Sequence, residues 1–181
     1  MNFKALALAA ITAAAGAVAP AMANAPIAEL REVRNHVQLA EAIKSTGVNF
    51  YINPAECNER PVYGWYWAAK NELVVCQELR DRTQAGVQTD WTTEDLDTLR
   101  HEAHHLVQDC RDSALNGRLN AVYRDPIELA KTWLGDRGIE NVLRAYSDAS
   151  DHIKVMELEA FSVASMNDPA EQVRDIKNFC F

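Results

Sequence analysis

The 181-residue chain lacks the features that mark several common classes of protein. It has no cluster of basic residues, and its formal net charge is −8. Nucleic acid and anionic lipid are therefore not expected partners, because both bind positively charged surfaces. Beyond the N-terminus the chain has no apolar run long enough to span a bilayer. Internal repeats, low-complexity tracts and an evident linker are also absent, which predicts one compact domain with a proper core.

The long apolar run at the N-terminus predicts a secretory signal peptide over residues 1–23. Lys4 gives it a positive start, and Ala-Met-Ala at residues 21–23 has the small-x-small pattern of a cleavage site. An uncleaved anchor is the alternative, although the run is short for a membrane span. The prediction is a secreted or periplasmic mature domain, residues 24–181, without stable membrane insertion. Loss of Lys4 changes the net charge from −8 to −9.

The four cysteines lack the close C-x-x-C spacing that is usual for zinc ligands. In an exported protein they predict two disulfides, for which three pairings are possible. We favour Cys57–Cys76, which would close a local hairpin. The second pair is then Cys110–Cys180, which would tie the C-terminus to the helix described next. In the chain-entropy model these loops contribute about 3 and 4 kcal/mol respectively.

The main chemical signal is the histidine pair His101 and His105 with Glu102 beside the first, in the pattern His-Glu-x-x-His. Residues four apart lie on one side of an α-helix, so both imidazoles can reach a single metal ion. Zinc binds such nitrogens at about 2.0–2.1 Å and keeps one position for water in catalytic sites. Glu102 would then be the general base for that water. A solvated helix face with structural histidines is the alternative interpretation.

The sequence around this motif predicts a helix that begins after a hydroxyl cap at Thr92. Apolar residues recur with a 3.6-residue period and fall nearly opposite His101 and His105, so one face would enter a core and the other a cleft. His104 points about 100° away from His105, and we expect it to flank the site. The apolar positions are Leu96, Leu99, Ala103, Leu106, Val107 and Cys110.

A third metal ligand is predicted on a later helix that begins at Asp151. Glu157 falls within the apolar arc of that helix, where a carboxylate is costly unless it is paired or bound to a metal. We therefore predict His101, His105 and Glu157 as the zinc ligands, with water as the fourth. Glu159, at the margin of the arc, is the second candidate ligand or a residue that supports the others. The alternative for Glu157 is a buried salt bridge to Arg or Lys.

The remaining patterns predict an α+β fold with a small sheet and a mainly helical C-terminal half. Tyr63, Trp65 and Trp67 would share one face of a strand. The predicted segments are a helix over 28–44, a strand over 48–52, a hairpin of 63–67 with 73–76, and helices over 126–134, 139–146, 151–166 and 171–179.

Together the two motifs resemble the gluzincin zinc metallopeptidases, in which a glutamate on a later helix completes His-Glu-x-x-His. The Glu-x-Glu-Ala form at residues 157–160 is similar to that of HtpX-like and ImmA/IrrE-like peptidases, whose first glutamate binds zinc. The resemblance covers roughly residues 48–166. It departs at Phe161, where HtpX-like proteases usually have an aspartate that orients a histidine ligand. Asp148 or Asp151 would have to replace that aspartate.

The resemblance implies a minimal zincin-like domain, with a small antiparallel sheet or hairpin packed on the His-Glu-x-x-His helix. It implies hydrolysis of a peptide or protein substrate by a zinc-activated water with Glu102 as general base. The strand with Tyr63, Trp65 and Trp67 would align the substrate by edge pairing. The alternative functions are a non-catalytic secreted zinc- or partner-binding protein on this scaffold, and a disulfide-bonded helical protein whose histidines have no special role. The candidate oxyanion donors are Tyr146 and His152.

Overall fold

The structure is a computed structural model that describes residues 27–77, 86, 90–112 and 115–181. The predicted signal peptide, residues 1–23, lies outside the described residues. The described part is α+β, with six α-helices, one three-stranded sheet and a helical C-terminal half, as predicted. None of its helices is long and apolar enough to cross a bilayer. The elements are α1 (Ile27–Ser45), β1 (Asn49–Ile52), β2 (Gly64–Trp67), β3 (Glu72–Val75), α2 (Thr93–Asp109), α3 (Pro126–Trp133), α4 (Gly135–Ala145), α5 (Asp151–Met166) and α6 (Pro169–Phe179).

The sheet has the strand order β1–β3–β2. Strands β2 and β3 form the predicted antiparallel hairpin, with Trp65 opposite Val74. Strand β1 pairs with β3 in parallel, with Tyr51 opposite Val74, so the sheet is mixed and not antiparallel throughout. Parallel pairing needs a crossover between the two strands, and the chain that contains β2 supplies it. Strand β2 therefore lies at one edge of the sheet.

The two faces of the sheet pack in different clusters, because side chains alternate along a strand. Val74 packs with Trp65 and with the disulfide Cys57–Cys76 on one face. The neighbouring residues of β3 point to the other face and join the main core with α1, α2 and α6. That core includes Leu39, Ile43, Leu73, Val75, Leu99, Ala103, Leu106, Val107 and Ile176.

Helix α2 is the central element of the fold. Its N-terminus is fixed by a reciprocal capping box, in which the side chains of Thr92 and Asp95 each accept from the other's backbone N–H. The helix contacts α1, α5, α6, β2 and β3. His101 and His105 are consequently only 8% and 4% exposed. The sequence predicts that this side of α2 faces a cleft, but α5 covers it. A wheel drawn for α2 alone does not show which elements pack there.

Helices α3 and α4 pack against α5 on its other side. Leu158 of α5 meets Ala130 of α3 and Val142 of α4 in a separate apolar cluster. The sequence predicts a helix that ends at residue 134 and another that begins at residue 139, whereas α4 already begins at Gly135. Gly135 adopts φ +64°, a left-handed conformation that glycine tolerates without a Cβ clash, so α3 ends before it and α4 begins there.

Both predicted disulfides are confirmed. Cys57–Cys76 joins a short 3-10 turn to the end of β3 across a sequence separation of 19 residues. Cys110–Cys180 joins the C-terminal ends of α2 and α6 across a separation of 70 residues. The second bridge therefore fixes the end of the helix that carries the histidine pair.

Candidate metal centre

Two histidines of α2 and one glutamate of α5 converge in the interior. The Nε2 atoms of His101 and His105 are 3.1 Å apart. Glu157 Oε2 lies 3.2 Å from the first of these nitrogens, and Glu157 Oε1 lies 3.5 Å from the second. The convergence that the helical wheels predict is present. We call these three residues and Glu102 the His–Glu cluster.

The separations within the His–Glu cluster fit a bound metal ion. In tetrahedral zinc with ligands at about 2.05 Å, the ligand atoms lie about 3.3 Å from one another. The three separations here are 3.1, 3.2 and 3.5 Å. The ligand atoms of His101, Glu102 and His105 also lie within 4.8 Å of one another. Neutral imidazole nitrogens and a carboxylate are electron-pair donors, so the point that these three groups face is suited to bind a cation.

The pKa shifts also show that this point attracts positive charge. Burial alone would raise the pKa of Glu157, but His105 and His101 outweigh it and hold that pKa well below its usual range. Burial alone would lower the pKa of His105, but the charges of Glu157 and Glu102 raise it to about 9. Each group thus stabilises the charged form of the other. A proton or a metal ion can supply the positive charge.

Glu102 lies between the histidine pair and the edge strand β2. Burial raises its pKa, against the opposing effects of His101, His105 and the backbone N–H of Tyr66. Gly64 permits this close packing, because a Cβ there would lie 3.2 Å from Cγ of Glu102 and 2.7 Å from the carbonyl oxygen of Val74. A buried carboxyl with a raised pKa is suited to accept a proton and return it.

Glu159 has a different set of partners from Glu157. Its carboxylate accepts from the backbone N–H groups of Val122 and Tyr123 at 2.9 and 2.5 Å, and from the Gln108 side chain at 2.8 Å. Despite burial, its pKa is lowered by His104, which lies beside it, and by these donors. Glu159 therefore attaches the segment between α2 and α3 to α5, while Glu157 faces the histidine pair.

His104 is fully buried beside Glu159 and outside the His–Glu cluster. Its Nε2 lies 3.5 Å from Glu159 Oε2, and burial lowers its pKa, so the ring is neutral near pH 7. The ring centroid is 6.1 Å from that of Tyr123. This position agrees with a flanking residue that packs behind the histidine pair.

His101 and His105 have different partners, and the sequence does not predict Gln108, the partner of His105. His101 packs against Phe161, with ring centroids 4.2 Å apart. His105 Nδ1 lies 2.8 Å from Oε1 of Gln108. The proposed replacements for the missing aspartate do not serve here, since Asp148 and Asp151 are both exposed and the latter pairs with Lys154 at 3.6 Å. The only signal for Gln108 in the sequence is its position one turn after His105.

Of the two candidate oxyanion donors, the structure brings Tyr146 to the cluster. Burial, together with the nearby carboxylates of Glu157 and Glu102, raises the pKa of its hydroxyl, so Tyr146 remains a neutral donor. His152 is exposed, and its Nε2 lies 2.8 Å from the carbonyl oxygen of Leu119. None of the contacts described for His152 involves a residue of the His–Glu cluster.

The aromatic residues of the predicted substrate strand lie on the face of the sheet that is turned away from α2. Trp65 packs with Val74, and Trp67 is exposed with Lys70 Nζ at 3.8 Å from its ring centroid. Tyr63 precedes β2 and is also exposed. The backbone of β2, through Tyr66, is what borders the His–Glu cluster.

The fold and this geometry define an α+β protein with a buried histidine–glutamate cluster that could hold a metal ion. The chain belongs to a family described as a domain of unknown function, DUF8637, whose model matches residues 29–181. The matched range contains every residue of the cluster. No curated protein and no solved structure matches the chain.

Proposed function

We propose that the protein is a secreted zinc-dependent metallopeptidase. His101, His105 and Glu157 would be the zinc ligands, and Glu102 the general base. The observation that carries this proposal is the meeting of two Nε2 atoms and one carboxylate at the separations expected for zinc ligands, with a second carboxyl beside them. Two histidines and a glutamate form one of the ligand sets of catalytic zinc sites.

The chemistry follows from where each side chain lies. Zinc bound to this set would polarise the peptide carbonyl and lower the pKa of water. Glu102 would take a proton from the attacking water and pass it to the leaving amine, a transfer that its raised pKa favours. Tyr146 would donate from its neutral hydroxyl to the developing oxyanion.

The edge position of β2 supports a peptide as the substrate. An extended peptide can add to a sheet edge as a further strand, and its backbone hydrogen bonds then hold it regardless of sequence. Such a peptide would run beside Glu102, since Gly64 of β2 packs closely against that side chain. The aromatic side chains of β2 would have a structural role on the opposite face.

A location outside the cytoplasm is supported by the two disulfides, which persist in oxidising compartments. The predicted signal peptide agrees with export. Periplasm and extracellular space both fit this chemistry.

The catalytic part of the proposal is tested with Glu102→Gln, a substitution that keeps the size of the side chain and removes its basic carboxylate. The variant should retain zinc and lose hydrolysis of a mixed peptide library by about 100-fold or more, the usual size of a general-base contribution. Glu128→Gln, on the exposed surface of α3, is the matched control and should cleave like the parent. Cleavage by Glu102→Gln at the parent rate would refute the assignment of the base.

A second function, non-catalytic binding of zinc or of a partner on the same scaffold, is favoured by the burial of the cluster. All four cluster residues are at most 9% exposed, and structural zinc sites, unlike catalytic ones, keep no coordination position open to a substrate. The same peptide library, treated with and without a chelator, separates the two functions. Bound zinc without chelator-sensitive cleavage would support the second.

A further inference from the structure

The side chain of Gln108 connects one histidine of the cluster to a carboxylate outside it. Its Oε1 lies 2.8 Å from His105 Nδ1. Its Nε2 lies 2.8 Å from Glu159 Oε2 and 3.0 Å from the backbone carbonyl oxygen of Met156. Gln108 and Glu159 are both fully buried. Water therefore cannot substitute for these contacts without a rearrangement.

The chemistry of these neighbours fixes which way the amide of Gln108 points. A carboxylate and a backbone carbonyl only accept hydrogen bonds, so the group facing Glu159 and Met156 must be the NH₂. The amide oxygen then faces His105 Nδ1 and can only accept, which places a proton on Nδ1. Nε2 of the neutral ring keeps its lone pair, directed at His101 and Glu157.

We propose that Gln108 and Glu159 are positioning residues that fix the ring orientation and the tautomer of His105. Glu159 orients the amide, the amide orients the imidazole, and Nε2 becomes the atom that His105 offers to a metal ion. Glu159 is held in turn by the N–H groups of Val122 and Tyr123. As far as it concerns zinc, this inference rests on the proposed function, whereas the tautomer is a property of the chain itself.

The other histidine of the cluster provides an internal contrast. Among the residues that the structure describes, none hydrogen bonds with Nδ1 of His101, whose ring packs on Phe161. The effect of Gln108 should therefore be confined to His105. Ligand histidines with an oriented second nitrogen commonly lose 10–100-fold in metal affinity when that partner is removed.

The test compares Gln108→Met with Gln172→Met. Methionine is similar to glutamine in size but has no amide, so each substitution removes one buried amide from the surroundings of α2. Gln172 is the matched control because it is 1% exposed and donates to the backbone carbonyl of Arg100 on α2 at 2.6 Å, and not to a histidine ring. Two quantities are measured in parent and variants. The first is zinc affinity, by competition with a chromophoric chelator, and the second is the His105 tautomer in the metal-free protein, by ¹⁵N NMR at a pH where the ring is neutral.

We expect Gln108→Met to weaken zinc binding by about 10–100-fold and to let the Nε2–H tautomer of His105 appear. Gln172→Met should keep the affinity and the tautomer of the parent. Parent-like affinity in Gln108→Met, or an equal loss in Gln172→Met, would overturn the inference. The parent spectrum alone also decides, even if Gln108→Met does not fold: a proton on Nδ1 supports the inference, and a proton on Nε2 overturns it. A parent that binds no zinc would refute the proposed function, and the same spectrum would still decide the tautomer.

Discussion

Replacing Glu159 with alanine should destabilise the protein without removing a metal ligand. The substitution takes away the acceptor of two backbone N–H groups, those of Val122 and Tyr123, and of the Gln108 amide. Each buried donor left without a partner costs about 1–3 kcal/mol. Solvent can reach the partly buried segment that contains Val122 and Tyr123 and can satisfy some of these donors. We therefore expect the free energy of unfolding to fall by about 3–5 kcal/mol in total.

This loss is a large part of the stability of an ordinary domain, which is about 5–15 kcal/mol. The assay is urea unfolding of the oxidised, metal-free protein, followed by circular dichroism and by tryptophan fluorescence, with two-state behaviour checked by the agreement of the two probes. Glu157→Ala is the matched control, because it removes a buried glutamate two residues away whose partners in the cluster are side chains and not backbone groups. A loss below about 1 kcal/mol in Glu159→Ala would contradict the account of Glu159 as the acceptor that holds this loop.

Three further predictions concern the disulfides, the edge strand and the last helix. Replacing both cysteines of Cys110–Cys180 with alanine should lower the free energy of unfolding by about 4.4 kcal/mol, and replacing those of Cys57–Cys76 should lower it by about 3.2 kcal/mol, because the first disulfide closes the longer loop. Urea unfolding under non-reducing conditions that ranked the two losses in the reverse order would contradict the loop argument. Gly64→Ala should lower the free energy of unfolding by about 1–3 kcal/mol, since the added Cβ would lie 2.7 Å from the carbonyl oxygen of Val74. A melting temperature equal to that of the parent would contradict this and would show that β2 can shift to make room. The pKa of Asp175 is raised to about 6 by burial and by Glu171, so the parent should lose stability as the pH rises from about 4 through 6. Asp175→Asn should lack that loss, and its free energy of unfolding should exceed that of the parent by about 1 kcal/mol at pH 7, a value discounted for the partial exposure of the carboxyl. A difference in stability between parent and variant that does not change with pH would contradict the raised pKa.

Much of the site could be predicted because helix periodicity and ligand chemistry act locally. The cap at Thr92 and the apolar period fixed where α2 begins and which side chains lie beside each other. The wheel of the later helix separated Glu157 from Glu159, and in the fold it is Glu157 that meets the histidine pair. The cysteine pairing followed from the compartment and from the local hairpin.

Other features depend on contacts that a single sequence does not encode. The side-chain pattern of β1 is the same for either strand direction, so its parallel pairing with β3 could not be read from it. The cover of α5 over His101 and His105 depends on how the helices pack, which a wheel drawn for one helix omits. The role of Gln108 depends on the direction of an amide that is set by Glu159, a residue far along the chain. Phe161 is a different case. The sequence shows that this residue departs from the family pattern, but only the fold shows the consequence, which is an aromatic contact with His101.

The central claim is that the His–Glu cluster binds zinc through His101, His105 and Glu157. The most direct measurement is the metal content of the mature, disulfide-intact protein, purified without a histidine tag and analysed by mass spectrometry of its elements. We predict about one zinc ion per chain in the parent and in the surface control Glu128→Gln, and loss of that zinc in Glu157→Gln, which replaces the anionic ligand with a neutral amide. A parent free of zinc, or a Glu157→Gln variant that holds zinc as the parent does, would contradict the claim.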